Sequence, residues 1–221
     1  KGMGTKERLI YPIICGRANE EIVQLKAAYF DMYSEDLGVK LASELGGAFE
    51  RMIFWSLQGL EKEYDEEYFN EDKVKADAEA FFEAGEGKWG TDEDGIFKII
   101  AESPVEHLEK VNQVYVEKNE MTLLKALDTE IGGDAGRAAR YAVGMKIKPY
   151  KTAADLIAKF CKGVGTDEIG LTCCILRYQA IMTEVDEAHK EDYDKTLIEL
   201  IDKEVRGKYE KLLKKMVEHS L

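Results

Sequence analysis

Proline is scarce in this chain, with three in 221 residues. Few positions are therefore barred from helix, since proline is the strongest helix breaker. Long apolar runs are missing: no stretch approaches the roughly 18 uninterrupted apolar residues of a membrane-spanning helix, and no signal-peptide pattern is present. The four cysteines (Cys15, Cys161, Cys173, Cys174) show neither CxxC spacing nor a disulfide framework, and read as buried thiols in a reducing compartment. The three histidines (His107, His189, His219) share no spacing that a metal centre or catalytic triad requires. His189 and His219 fall in highly charged segments and read as solvated. Adjacent on a helix, Cys173 and Cys174 cannot both face one site. No Gly-x-x-x-x-Gly-Lys loop is there to cradle a phosphate. An enzyme is not expected.

Positive charge is also short. Thirty-one lysines and arginines face 44 acids, a net charge of -13. Nucleic acid and anionic lipid should repel such a chain, each charge near a membrane surface being worth about 1 kcal/mol. The basic run from Lys211 to Lys215 is short and reads as a solvated helix face. Binding to an anionic surface would need a mediating cation.

What is present is helical patterning. Apolar residues make up 45% of the chain and charged ones 34%, and the apolar ones recur at i, i+3 and i+4, which predicts an all-α protein. Ile22, Leu25, Ala28, Tyr29, Met32 and Tyr33 share one helical stripe, as do Leu156, Ile157, Phe160 and Cys161. The run Met52-Ile53-Phe54-Trp55 reads as part of a buried helix. The segment from Glu61 to Lys73 holds seven acids and little apolar periodicity, and reads as a linker.

A glycine loop recurs three times: Gly2-Met3-Gly4-Thr5, Lys88-Trp89-Gly90-Thr91 and Gly163-Val164-Gly165-Thr166. Each loop has a remote acid. Glu44 follows Gly4 by the same step as Glu130 follows Gly90, and Glu204 comes one residue sooner after Gly165. The intervals from Gly4 to Gly90 and from Gly90 to Gly165 are of the size that marks stacked supersecondary units, and the first is the longer. Gly4-Thr5-Lys6-Glu7 matches Gly90-Thr91-Asp92-Glu93 and Gly165-Thr166-Asp167-Glu168. Ser43-Glu44-Leu45-Gly46-Gly47 matches Thr129-Glu130-Ile131-Gly132-Gly133 and, more loosely, Lys203-Glu204-Val205-Arg206-Gly207. Glycine loops with remote carboxylates suit oxygen-only sites, and Ca²⁺ takes about 6–8 oxygens in flexible geometry. The alternative is that these glycines end helices and the acids cap the next ones.

These loops and acids resemble the repeats of annexins over essentially the whole chain. The resemblance implies a right-handed superhelical array of five-helix repeats forming a curved disc. With the long step before Lys88-Trp89-Gly90-Thr91-Asp92-Glu93, the chain looks like repeats two to four of a four-repeat core. The expected divisions are a repeat at 1–60 lacking its first helix, a linker at 61–73, and repeats at 74–147 and 148–221. A first repeat and one helix are expected to be missing ahead of Gly2.

Carried over from the family, the calcium ligands are the carbonyls of Gly2 and Gly4 with Glu44. In the next repeat they are Glu86, Lys88 and Gly90 with Glu130, and in the last Cys161, Gly163 and Gly165 with Glu204. Met3, Trp89 and Val164 stand at the loop tips, either to enter the lipid interface or to fold back on their repeats. The Thr5/Glu7, Thr91/Glu93 and Thr166/Glu168 pairs match accessory ion positions, or serve as helix N-caps. Lys6 replaces an acid in the first loop. An arginine that recurs in the family after the second glycine is met by Arg17 and Arg177, but by Ser103 in the middle repeat. The step from Arg177 to Glu204 equals that from Arg17 to Glu44, which places the residue missing from the last repeat before Arg177. Pro12 stands where accounts of an annexin pore need an acid, and conductance is not claimed.

The implied function is calcium-dependent binding to anionic phospholipid membranes by a cytoplasmic, peripheral protein. The competing reading is a calcium-independent helical scaffold for cytoskeletal or other protein partners.

Overall fold

The computed structural model describes residues 6–85, 93–162 and 165–221, with the backbone alone at 84, 85 and 130. Fourteen α-helices and one 3₁₀ turn, with no strand, make up the regular structure of the described residues. They fall into three successive groups. The first holds α1 (Glu7–Ile14), α2 (Asn19–Tyr33), α3 (Leu37–Glu44) and α4 (Gly47–Leu57). The second holds α5 (Glu71–Gly85), α6 (Glu93–Glu102), α7 (Val105–Asn119), α8 (Leu123–Glu130) and α9 (Gly133–Ile147). The third holds α10 (Pro149–Cys161), α11 (Glu168–Arg177), the 3₁₀ turn Gln179–Ile181, α12 (Met182–Tyr193), α13 (Leu197–Glu204) and α14 (Gly207–Ser220). By packing, Lys1–Ile147 form one compact unit and Lys148–Leu221 a second.

The backbone repeats as the sequence does. Ser34, Glu120 and Asp194 are left-handed, with φ of 54°, 57° and 55°, and each ends the long helix α2, α7 or α12. These three are the only non-glycine residues with positive φ among the described residues. Left-handed C-caps are common because they satisfy the last helical carbonyls. The following short helix then starts on a side-chain cap from Asp36, Thr122 or Thr196. Asn112 and Asp186 add a second tie, accepting from the amides of Leu123 (2.9 Å) and Leu197 (2.6 Å).

In the first unit α9 is the hub. Its small buried residues Ala135, Ala138, Ala139 and Ala142 let α1, α4, α7 and α8 approach closely. Tyr11 of α1 meets Tyr141 edge-on at 5.4 Å, both rings buried. Met52, Ile53, Phe97 and Ile100 fill the space where α4 crosses α6. At about 1.5–3 kcal/mol per buried large side chain, such contacts outweigh any single polar tie. In the second unit the predicted stripe holds: Leu156, Ile157, Phe160 and Cys161 are all buried.

The stripe predicted on α2 is not buried. Ile22 is inside, but Met32 is 71% exposed and Tyr33 59%. The later groups explain the difference: α5 packs along α7, and α10 along α12. No helix among the described residues takes that place on α2. Phe54 of α4 is 55% exposed, lining a groove of about 360 Å³ with Val39, Leu41 and Leu45. Trp55, expected to be buried, is half-buried, with the Lys98 ammonium 5.9 Å from its ring centroid. His189 is also corrected, from solvated to 1% exposed: its Nδ1 lies 2.6 Å from the Lys195 carbonyl and its ring stacks on Tyr193. His219 is exposed as expected.

Polar ties brace the middle group. His107 Nε2 lies 2.7 Å from Asp77, joining α7 to α5 in the interior. The Lys146 ammonium reaches the carbonyls of Ile100 (3.0 Å) and Ser103 (2.5 Å) and the Glu61 carboxylate (2.7 Å). It closes the end of α6 where Ser103 stands in place of an arginine. Replacing Lys146 by Met strands both carbonyls, and the unfolding free energy in denaturant should fall by about 1–3 kcal/mol. An unchanged midpoint would show that the ammonium does not cap α6.

Candidate metal centre

Three helices end on the three predicted acids. α3, α8 and α13 are each eight residues long and finish at Glu44, Glu130 and Glu204. Three residues later Gly47, Gly133 and Gly207 open the next helices with φ of 63°, 68° and 78°. A Cβ at these glycines would meet open space, so the left-handed angle alone demands glycine there. A helix carries negative partial charge at its C-terminus. Placing a carboxylate there adds like charge to like, and the combination favours a cation. In the first and last groups a lysine now answers it: Lys40 is 3.2 Å from Glu44, and Lys203 is 3.1 Å from Glu204. The Lys40 ammonium is held above its ordinary pKa, first by its hydrogen bond to Glu44. Both pairs lie at the surface, where solvent keeps them weak and exchangeable.

The last group shows how loop and acid meet. α10 ends at Cys161, and the chain passes through Gly165 at φ 89° before α11. The Asp167 amide donates to the Phe160 carbonyl at 2.9 Å, which draws the two sides of the loop together. Thr166 then donates its hydroxyl to the Glu204 carbonyl, also at 2.9 Å. The Cys161 thiol is pushed up to about 12, by burial first and then by the field of Glu204. Cys161, Gly165 and Glu204 are thus gathered at one end of the unit. Backbone carbonyls and a carboxylate are hard oxygen donors, which fit a calcium-type cation. Among the described residues, no three His, Cys, Asp or Glu side chains cluster as an ion cage. A site here therefore depends on loop carbonyls with a single acid.

The other predicted ligands are placed in part. Glu44 is exposed at the end of α3, while Gly2, Met3 and Gly4 lie outside the described residues. Glu130 is placed by its backbone, while Glu86, Lys88, Trp89 and Gly90 lie outside them, as do Gly163 and Val164.

Three features differ from the sequence reading. The N-cap of α11 is Asp167, which accepts from the Gly170 amide at 3.2 Å; Thr166 and Glu168 do not fill that role. The residue missing from the last repeat falls after Arg177. Ile96, Ile100 and Ser103 are buried on the way from Gly90, and Leu171, Ile175 and Tyr178 are buried at the same steps from Gly165. The register therefore changes in the 3₁₀ turn Gln179–Ile181, which the middle group lacks. Finally, Arg51 of α4 pairs with Glu93, and with Asp94 at 3.1 Å, fixing the first turn of α6 to the preceding group. Its sequence signal was position: Arg51 and Arg137 each stand four residues past a helix-opening glycine.

Comparison with known proteins decides the lineage. The Annexin family model matches residues 1–54, 76–140 and 152–216, most of the chain. The chain belongs to the annexin family. Annexin A6 of Gallus gallus is 32% identical over 218 residues, covering 98% of this annexin chain and 32% of the relative. Annexin A13 of Mus musculus is 29% identical over 214 residues, covering 96% of the chain and 67% of the relative. The structure of chicken annexin V superimposes with a TM-score of 0.89 at 28% identity, covering 98% of this chain and 68% of that one. The chain thus spans about a third of the length of the annexin A6 relatives.

The thiols of this annexin provide a check on the packing around the last loop. Only thiolate reacts readily, and a pKa of about 12 leaves Cys161 roughly 10⁻⁴ ionised at pH 8. Burial raises Cys174 further, while Cys173 is half-exposed and raised less. A disulfide reagent at pH 8 should therefore modify Cys173 first in the native chain, as read by peptide mass mapping. Cys161 reacting before Cys173 would contradict this arrangement.

Proposed function

We propose that this annexin chain binds anionic phospholipid membranes in a calcium-dependent way, without catalysis. The supporting observation is the threefold placement of a glutamate at the end of an eight-residue helix, with Thr166 tying one loop to its acid. Calcium-dependent phospholipid binding is typical of the family. The net charge of -13 makes a bridging cation necessary for an anionic surface. Bound calcium would supply the positive charge that joins protein oxygens to a lipid phosphate.

The residues divide the work by repeat, with boundaries at 1–60, 74–147 and 148–221 and a linker at 61–73. Gly2, Gly4 and Glu44 serve the first. Glu86, Lys88, Gly90 and Glu130 serve the second, and Cys161, Gly163, Gly165 and Glu204 the third. Each carboxylate supplies the charged contact, and the carbonyls complete a shell that leaves room for a lipid oxygen. Met3, Trp89 and Val164 enter the interface beside the headgroup, where Trp is best suited. The chain works from the cytoplasm, as a peripheral protein. No helix among the described residues is long and apolar enough to cross a membrane.

Replacing Glu130 by Gln keeps the carbonyls but removes the charged clamp. Calcium affinity in the middle repeat should fall about tenfold or more, with the fold intact. Calorimetry that finds the same number and strength of sites in both proteins would remove Glu130 from the ligand set. Trp89 should shift its emission to the blue when calcium and anionic vesicles are added together, and not with vesicles alone. The Trp55→Phe background isolates that signal. An emission that ignores vesicles while the protein sediments with them would mean that Trp89 stays outside the lipid.

A further inference from the structure

The last repeat departs from the other two in two ways that coincide. Its acid comes one residue sooner after the second glycine than in the others, because the stretch from Tyr178 to the end of α12 is one residue shorter than that from Ser103 to the end of α7. It also carries a polar cluster that the other repeats cannot make. Tyr209, the third residue of α14, donates its hydroxyl to the Glu168 carbonyl at 2.6 Å. The Thr172 hydroxyl lies 2.7 Å from that carbonyl and 2.6 Å from the Tyr209 oxygen. Two hydroxyl protons therefore serve three short contacts, and the three oxygens are held as one group.

We infer that Tyr209 and Thr172 form a clasp that positions Glu204 for its ion, offsetting the residue by which this acid arrives early. The inference rests on the calcium role proposed above for the last repeat. Glu204 lies between two ties that run in opposite directions. On one side Thr166, from the loop, donates to the Glu204 carbonyl at 2.9 Å. On the other, Tyr209, from beyond the corner, donates to the carbonyl at the start of α11. The corner between them is seated by Val205, 3% exposed, whose amide donates to Ile201 at 2.9 Å. Burial raises the Tyr209 phenol above its ordinary pKa, so it remains a donor at neutral pH. Counting from Gly47, Gly133 and Gly207, the residues matching Tyr209 are Phe49 and Ala135. Neither has a hydroxyl, and both are buried in the first unit. The residue matching Thr172 is Phe97 in the middle repeat and Tyr11, packed on Tyr141, in the first. Only the repeat whose register is short carries the clasp.

Tyr209 is a positioning residue, and removing one hydroxyl tests it. Loss of a group that orients a metal ligand costs about 10–100-fold in affinity. Calorimetric calcium titration of the whole chain should show a binding event that Glu204→Gln weakens. Tyr209→Phe should weaken that same event about tenfold or more, leave the other events unchanged, and add nothing in the Glu204→Gln background. Thr172→Val should act like Tyr209→Phe, and Thr172→Ser like the parent. Tyr209→Phe that binds like the parent, while Glu204→Gln is impaired, overturns the clasp and leaves the calcium role standing. Glu204→Gln that changes no event overturns the calcium role in this repeat, and the clasp with it. Equal weakening of every event, with a lower melting temperature in chelator, would mark a general packing role and also overturn the clasp.

Discussion

A carboxylate at the C-terminus of a helix is the arrangement on which this structure turns. The helix end already carries negative partial charge, so Glu44, Glu130 and Glu204 each stand where an acid is least favoured without a cation. Helices of this length gain little from propensity and depend on packing. The cores of the two units thus hold α3, α8 and α13 in place, buried side chains such as Leu37, Leu127 and Ile201 anchoring one helix face while the final acid lies at the helix end. The unfavourable charge is tolerated because hydrophobic burial fixes the helices on which it sits. Lys40 and Lys203 neutralise two of the acids with contacts weak enough to exchange.

Much of this was legible in the sequence, because periodicity and repeat spacing are local properties. The all-helical class and the stripe at Leu156, Ile157, Phe160 and Cys161 follow from apolar spacing alone. The ends of α3, α8 and α13 coincide with the three acids that alignment of the repeats singled out. Tertiary partners were not legible. The stripe on α2 is as regular as the others, but whether Met32 and Tyr33 are buried depends on a neighbouring helix that periodicity cannot supply. His189 sits among charged residues, which concealed that its own face points inward. Counting between Arg177 and Glu204 could not show which side of the arginine lost a residue; the burial of Leu171, Ile175 and Tyr178 does.

The polar interior follows a related logic of substitution. Where the middle group has Ser103 in place of an arginine, Lys146 comes from α9 to meet the carbonyls at the end of α6. Where the last group is short in register, hydroxyls from Thr166, Thr172 and Tyr209 connect segments far apart in the chain. Buried or half-buried acceptors need donors wherever the chain finds them. Among the described residues, the middle and last groups therefore differ in the polar ties that brace them.

The central claim is that the three acids make the chain a calcium-dependent membrane binder, and vesicle sedimentation tests it most directly. The parent chain should sediment with anionic vesicles when calcium is present and return to the supernatant with chelator. The triple variant Glu44→Gln, Glu130→Gln, Glu204→Gln should stay in the supernatant at the calcium concentration that pellets the parent. A folded triple variant that pellets like the parent, or a parent that sediments equally well in chelator, would contradict the account.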